Sequence, residues 1–195
     1  MPLDVLALLS KTGALLQGHY RLSSGLHSPT YVQCALLLQH PRNAKPIGES
    51  LAKLVRPMKP QKIVSPALGG MIIGYTVAEA LDVPMVFTER NDGRMTLRRG
   101  FKISEGERVV MVEDVVTTGR STREAADVVA AHGGLVFGFA SILNRSGREN
   151  PFGKPYESLL TIALKTWDEA SCPLCAKGVP PDTPGSRHGR AVTGR

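Results

Sequence analysis

The stretch Arg108 to Thr122 reads RVVMVEDVVTTGRST, and it constrains the fold of this chain more than any other segment. Arg108 heads an apolar run, Val109 to Val112, which predicts a buried β-strand. Glu113 and Asp114 stand where that strand is expected to end. A turn rich in small and hydroxyl residues follows at Thr117-Thr118-Gly119-Arg120-Ser121-Thr122, and a helical pattern runs from Arg123 to Ala131. Strand, donor-rich turn and helix N-terminus in that order make an anion cradle, because unpaired amides and the helix dipole favour negative charge. The two carboxylates cannot face the same phosphate without repulsion. They suit ribose hydroxyls instead, as an acidic residue does in dinucleotide sites. The residues point to a sugar phosphate, with its phosphate in the turn and its ribose over the acids.

The rest of the chain places that unit in an alternating pattern. A helix is expected over Leu3 to Ser10, a small irregular lobe with short strands over Gly13 to Gln39, and a helix over Pro41 to Val55. Lys62 to Ser65 reads as a short buried strand, Pro66 to Gly70 as a turn, and Met71 to Leu81 as a helix. Pro84 to Glu89 is a further strand, and Asn91 to Arg99, charged and without periodicity, reads as a mobile loop. A Gly133-Gly134 break precedes a strand at Leu135 to Leu143, and Ser158 to Leu164 suits a sheet edge. Strands separated by helices imply right-handed βαβ units: an α/β fold, a parallel sheet with helices on both faces. The expected organisation is an N-terminal helix and lobe (1–40), an α/β core (41–166) and a loosely held, Pro- and Gly-rich tail (167–195).

Charge and composition narrow the partners. The net charge of +7 suits polyanions, either nucleic acid or a phosphorylated small molecule. Arg187, Arg190 and Arg195 belong to the tail, and the interior excess gathers at Arg90, Arg94, Arg98, Arg99 and Lys102. Aromatic residues make only 5% of the chain and Phe101 alone falls within that cluster, short of the stacking platform a single strand requires, so nucleic acid is the weaker partner. No apolar run suits a membrane span, the N-terminus lacks a signal-peptide pattern, and three cysteines make no disulfide framework. The expected location is cytoplasmic.

The 108–122 stretch resembles the phosphoribosyl-pyrophosphate signature of the type I phosphoribosyltransferases: an apolar strand, two acids, then a T-T-G loop. The resemblance implies that family's fold, with a small N-terminal hood over the base. It gives Glu113, Asp114, Val115, Val116, Thr117, Thr118, Gly119, Arg120 and Ser121 to the phosphoribosyl donor, with Glu113 and Asp114 catalytic. It makes Ser65 to Gly70 the pyrophosphate loop, where Leu68 and Gly69 replace the lysine of many members. It makes the basic loop a cover over the site, shared across a homodimer, with Arg90 and Arg94 as the cations that stabilise departing pyrophosphate.

Two more segments select the base. Leu22 to Val32, LSSGLHSPTYV, is similar to the hood of the orotate-specific members, with Ser23 in place of their lysine and Tyr31 and Val32 beside the base. Asn144-Arg145 ends a strand, and an arginine there can fork onto a planar carboxylate, which orotate carries. The implied reaction moves ribose 5-phosphate from phosphoribosyl pyrophosphate to orotate with Mg²⁺, and Thr117 lies near the base as well as the phosphate. Two other readings remain open at this stage: a purine phosphoribosyltransferase, or a nucleic-acid-binding regulator on the same fold.

Cys172-Pro173-Leu174-Cys175 has the spacing of half a zinc site, with no second pair near it in sequence. Two copies of the chain in a dimer would supply two such pairs, but the motif is read first as two unbridged surface thiols. Cys34 is read as a small core residue, His19, His27, His40 and His132 as surface or turn residues, and His188 as part of the tail.

Overall fold

The computed structural model describes residues 3–22 and 24–184. Ser23, His188, Arg187, Arg190 and Arg195 lie outside the described residues. In chain order the elements are α1 (Val5–Lys11), β1 (Leu15–Arg21), β2 (His27–Val32), α2 (Cys34–Leu38) and α3 (Pro41–Val55). The core continues with β3 (Lys62–Pro66), α4 (Gly70–Leu81), β4 (Met85–Asn91), β5 (Arg94–Leu97), β6 (Arg108–Val116) and α5 (Arg120–Ala131). It ends with β7 (Leu135–Asn144), β8 (Tyr156–Thr161) and the short α6 (Pro173–Ala176).

Six strands form one sheet in the order β5-β4-β3-β6-β7-β8, and β1 with β2 forms a separate antiparallel ribbon. Every neighbour in the large sheet is parallel except β4 with β5. The α/β architecture read from the strand–helix alternation is therefore present. Chain direction along the sheet reverses between β3 and β6: β3 leads outward to β4, whereas β6 leads to β7 on the other side. Such a switch point opens a crevice at the strands' carboxyl ends.

Side-chain alternation on β6 explains the two hydrophobic layers. Val110 and Val112 join one cluster with Ile47, Leu51 and Val55 of α3 and Ile73 and Val77 of α4. Val109 and Met111 join the other with Ala125 and Val129 of α5. A period of two puts alternate residues on opposite faces, so the valine-rich run is buried on both sides. Each fully buried aliphatic chain contributes roughly 1.5–3 kcal/mol over its exposed state.

Three expectations are corrected. The signature strand does not stop before the acids: β6 pairs with β7 as far as Val116 with Asn144, so Glu113 and Asp114 lie within its last turns of pleat. The Asn91–Arg99 segment is not an irregular loop. It turns β4 into β5 through Asp92 and Gly93, both at positive φ (50° and 79°), and pairs Asn91 with Arg94 and Thr88 with Leu97. Two central residues of that conformation form the tight hairpin turn that matches strand twist, for which Asp-Gly is a favoured pair. The described part of the tail is also tied down. Trp167 exchanges backbone hydrogen bonds with His27, and Asp182 bonds back to His19 and Arg21.

Candidate active site

The signature turn folds as the residues require. β6 delivers Val116, the chain bends through Thr117 and Thr118, and Gly119 begins α5 at φ 69°. A Cβ at Gly119 would stand 2.9 Å from the Phe152 ring as well as in an unfavourable backbone region, so only glycine fits. Gly119 offers no side-chain cap to α5, which leaves amides of the helix's first turn available to a ligand. A cavity of about 420 Å³ opens here, lined by Glu113 and by residues from Val115 to Arg123. Arg123, which sequence reasoning did not single out, braces the turn by donating to Thr118 O and, at 3.1 Å, to Pro151 O. Its signal was its place one turn into the helix.

The acid pair meets the neighbouring loop. Within the β3–α4 turn, a Cβ on Gly69 would lie 2.7 Å from Asp114 Oδ1, and one on Gly70 would lie 2.9 Å from Glu113 Oε1. The Leu68-Gly69-Gly70 bend and the carboxylates are thus in direct apposition at the switch point. Glu113 is 7% exposed and accepts from Thr122 Oγ1 at 3.4 Å and from Asp114 N at 3.2 Å. Asp114 is half-buried and accepts from Val115 N at 2.8 Å.

Burial raises both carboxyls above their ordinary range, and the Asp114 charge pushes Glu113 further, well above the usual value. A carboxyl with a raised folded-state pKa stabilises the fold below its unfolded pKa and loses that contribution as pH rises through the folded value. The ligand-free protein is therefore expected to lose stability as pH climbs above the ordinary glutamate range. Glu113→Gln, which cannot ionise, should flatten that loss and raise Tm by a few degrees at neutral pH. Thermal unfolding of both proteins across pH 4 to 8 checks this, and parallel pH profiles would contradict it.

The base-side residues converge less completely. The Tyr31 phenol is raised by burial, then by the Asp114 charge, and is partly lowered by Arg145, so its hydroxyl lies within the electrostatic reach of both. Arg145 follows β7, its backbone N donating to Val116 O at 2.8 Å. Its Nε is buried with no partner among the described residues, and burial lowers its pKa. Val32 is buried in the core cluster and does not reach the cavity.

The basic hairpin sits beside the cavity and not in it. Arg90 and Arg94 line a second depression of about 400 Å³ with Glu124 and Asp127 of α5. Arg90 pairs with Glu124 and donates to Gly93 O at 2.9 Å, and Glu124 also accepts from Arg120 Nε at 2.8 Å. Burial alone would raise Glu124, but the hydrogen bonds from Arg120 and Arg90 overcome it and hold the carboxyl below its usual range. One glutamate thereby joins the hairpin to the rim of the anion cradle.

Comparison with known proteins follows the same lines. Residues 35–177 match the family model described as a phosphoribosyl transferase domain. The chain is 48% identical over 180 residues to the orotate phosphoribosyltransferase of Thermotoga maritima, covering 92% of this chain and 96% of that one. It is 45% identical to the Thermus thermophilus protein of the same name, covering 91% and 98%. The fold resembles the crystal structure of orotate phosphoribosyltransferase from Aeropyrum pernix, with a TM-score of 0.71 at 23% identity over 82% of this chain and 94% of that one.

Proposed function

Since the chain belongs to the orotate phosphoribosyltransferase family, we propose that it transfers ribose 5-phosphate from phosphoribosyl pyrophosphate to N1 of orotate, yielding orotidine 5′-monophosphate and pyrophosphate in pyrimidine biosynthesis. The observation that carries this reading is the apposition of Asp114 and Glu113 with the Gly69-Gly70 bend, beside the cavity of the signature turn.

The roles follow from chemistry. The turn from Thr117 to Ser121 and the open amides of α5 hold the 5-phosphate. Glu113 and Asp114 accept hydrogen bonds from the ribose hydroxyls. Their negative charge then favours the oxocarbenium-like ribose that forms as the C1–O bond to pyrophosphate breaks and the C1–N1 bond to the base forms. The Leu68-Gly69 backbone receives the pyrophosphate in place of a lysine. Leu68 is 73% exposed, so its side chain leaves the approach to the peptide groups open. Arg145, with a buried and unpartnered Nε, pairs with the orotate carboxylate, and Tyr31 packs beside the base. A purine has no carboxylate to satisfy that guanidinium.

Mg²⁺ is the cofactor of this reading. The residues fit it through the donor, since hard carboxylate oxygens at Asp114 and Glu113 suit an ion that keeps several waters and sugar or phosphate oxygens. When bound with the donor it offsets the charge of the leaving pyrophosphate. The protein works as a cytoplasmic homodimer in which Arg90 and Arg94 of the β4–β5 hairpin cover the neighbouring site. Support comes from an apolar stripe beside the pyrophosphate bend, with Leu68, Ile72 and Tyr75 exposed by 73%, 44% and 65%. No helix among the described residues is long and apolar enough to cross a membrane.

The test is a panel of orotate, uracil, adenine, hypoxanthine and guanine, each assayed with phosphoribosyl pyrophosphate and Mg²⁺. Orotate is expected to exceed every other base in kcat/KM by about 100-fold or more, the value of a satisfied buried charge pair. A purine used as well as orotate would overturn the assignment.

A further inference from the structure

Outside the active site, the fold collects four metal-ligating side chains that the sequence keeps far apart. His19 on β1, His27 on β2, Cys172 just before α6 and Cys175 within it present their ligand atoms within 4.8 Å of one another. The two histidines, expected at the surface or in turns, are 4% and 1% exposed, and Cys172, expected as a surface thiol, is buried while Cys175 is half-buried. His19 Nε2 lies 2.8 Å from His27 Nδ1, 3.4 Å from Cys172 Sγ and 3.8 Å from Cys175 Sγ, and Cys175 Sγ lies 3.2 Å from His27 Nδ1. The ligand atoms around a tetrahedral zinc, bonded at roughly 2.0–2.3 Å, stand about 3.3–3.8 Å apart. The cluster's separations, from 2.8 Å up to no more than 4.8 Å, bracket those dimensions, so small side-chain shifts would close it around an ion.

A second feature orients it. His19 Nδ1 bonds to the Val179 carbonyl oxygen at 2.7 Å, and a carbonyl can only accept. The Nδ1 proton is thereby fixed, and Nε2 turns a lone pair into the cluster, the usual arrangement of a metal-bound histidine. His27 has Nδ1 aimed into the same centre, while its buried Nε2 finds no partner among the described residues. Packing alone gives little reason to gather two imidazoles and two thiols in a buried space, where polar groups lacking strong partners are costly.

We propose that His19 Nε2, His27 Nδ1, Cys172 Sγ and Cys175 Sγ form a closed structural Zn²⁺ site that clips the C-terminal segment to the β1–β2 hood. Two soft thiolates and two imidazoles in tetrahedral array select zinc over the hard ions that carboxylates take. Both thiols release their protons on binding, so the two thiolates and one dication sum to zero charge, and the set tolerates burial. All four protein positions are filled, so the ion has no open place for water or substrate. The clip reinforces the backbone bonds of Trp167 to His27 and of Asp182 to His19 and Arg21. It anchors the base of the same ribbon that carries Tyr31 at its far end.

The test uses the full-length chain, without a polyhistidine tag, purified in the absence of chelators. Elemental analysis is expected to find one zinc per chain. Replacement by Co²⁺ should give intense tetrahedral visible bands with thiolate charge transfer in the near ultraviolet. Cys172→Ser and Cys175→Ser should each lose the zinc, while His132→Ala, remote from the cluster, keeps it. Stripping the wild type with a tight chelator should lower Tm by several degrees, and added Zn²⁺ should restore it. The wild-type spectrum decides the matter even where a cysteine variant does not fold. A protein that retains no zinc after refolding with it, a pale octahedral cobalt spectrum, or a Cys172–Cys175 disulfide under anaerobic purification would overturn the site. None of these readouts depends on orotate turnover.

Discussion

Asp114→Asn is expected to leave the fold intact and to lower kcat by about 10²–10³-fold, the range for removing one preorganised electrostatic contact to a transition state. Asparagine keeps the shape and one acceptor oxygen, so the hydrogen bond from Val115 N at 2.8 Å and the clearance from Gly69 both survive. What it removes is the negative charge facing a ribose that gains positive charge only as the bond to pyrophosphate breaks. The loss should therefore fall on kcat more than on the KM for phosphoribosyl pyrophosphate. Removing the charge also relieves part of the repulsion that raises Glu113, so Tm should hold or rise. Steady-state kinetics with unfolding curves check both halves. An unchanged kcat would remove Asp114 from the site, and a collapsed Tm would make its role structural.

Arg145→Ala is expected to raise the KM for orotate by roughly 30-fold to 1,000-fold, because truncating one partner of a desolvated charge pair costs about 2–5 kcal/mol. The guanidinium is half-buried, its Nε lacks a partner among the described residues, and its charge is felt at Tyr31. These are the properties of a group held ready for an anionic ligand. In the proposed complex the phosphoribosyl donor makes its contacts through the acid pair and the signature turn and not through Arg145, so its KM should move far less. Lysine at the same position should recover only part of the loss, since a point charge cannot fork onto a planar carboxylate. Equal weakening of both substrates would contradict the carboxylate role.

Local order made the core readable. A valine run, an acid pair, a T-T-G turn and a helical pattern occur consecutively, and each step has one dominant physical reading, so β6, the turn and α5 occur in the expected order, although α5 begins at Arg120 and takes in the last three residues of the expected turn. The end of β6 was less legible because pairing with β7, a tertiary event, carries the strand through Glu113 and Asp114 to Val116. The β4–β5 hairpin was legible in principle. Asn91-Asp92-Gly93-Arg94 is a tight-turn signature, but the surrounding arginines and the weak alternation of Met95-Thr96-Leu97 masked the strand. Its consequence is that Arg90 and Arg94 stand against α5 beside Glu124, adjoining the phosphate cavity.

Only half of the histidine–cysteine cluster could be read from spacing. Cys172-x-x-Cys175 supplies half a site, and the other half lies on the two hood strands, brought in by backbone pairing of Trp167 with His27 and of Asp182 with the His19–Arg21 segment. The apposition of Gly69 with Asp114 was foreseeable only as a rule about adjacent strand ends. Its closeness depends on glycine at both Gly69 and Gly70, where any Cβ would collide with a carboxylate oxygen.

The central claim, an acid doublet holding the ribose while the adjoining turn holds its phosphate, is tested most directly by a crystal structure with phosphoribosyl pyrophosphate, Mg²⁺ and an unreactive orotate analogue. The expected density has the 5-phosphate within hydrogen-bond distance of the Thr117–Ser121 amides, the ribose hydroxyls on Glu113 and Asp114, and the analogue's carboxylate on Arg145. A donor bound elsewhere, or one whose ribose turns away from both acids, would contradict the account.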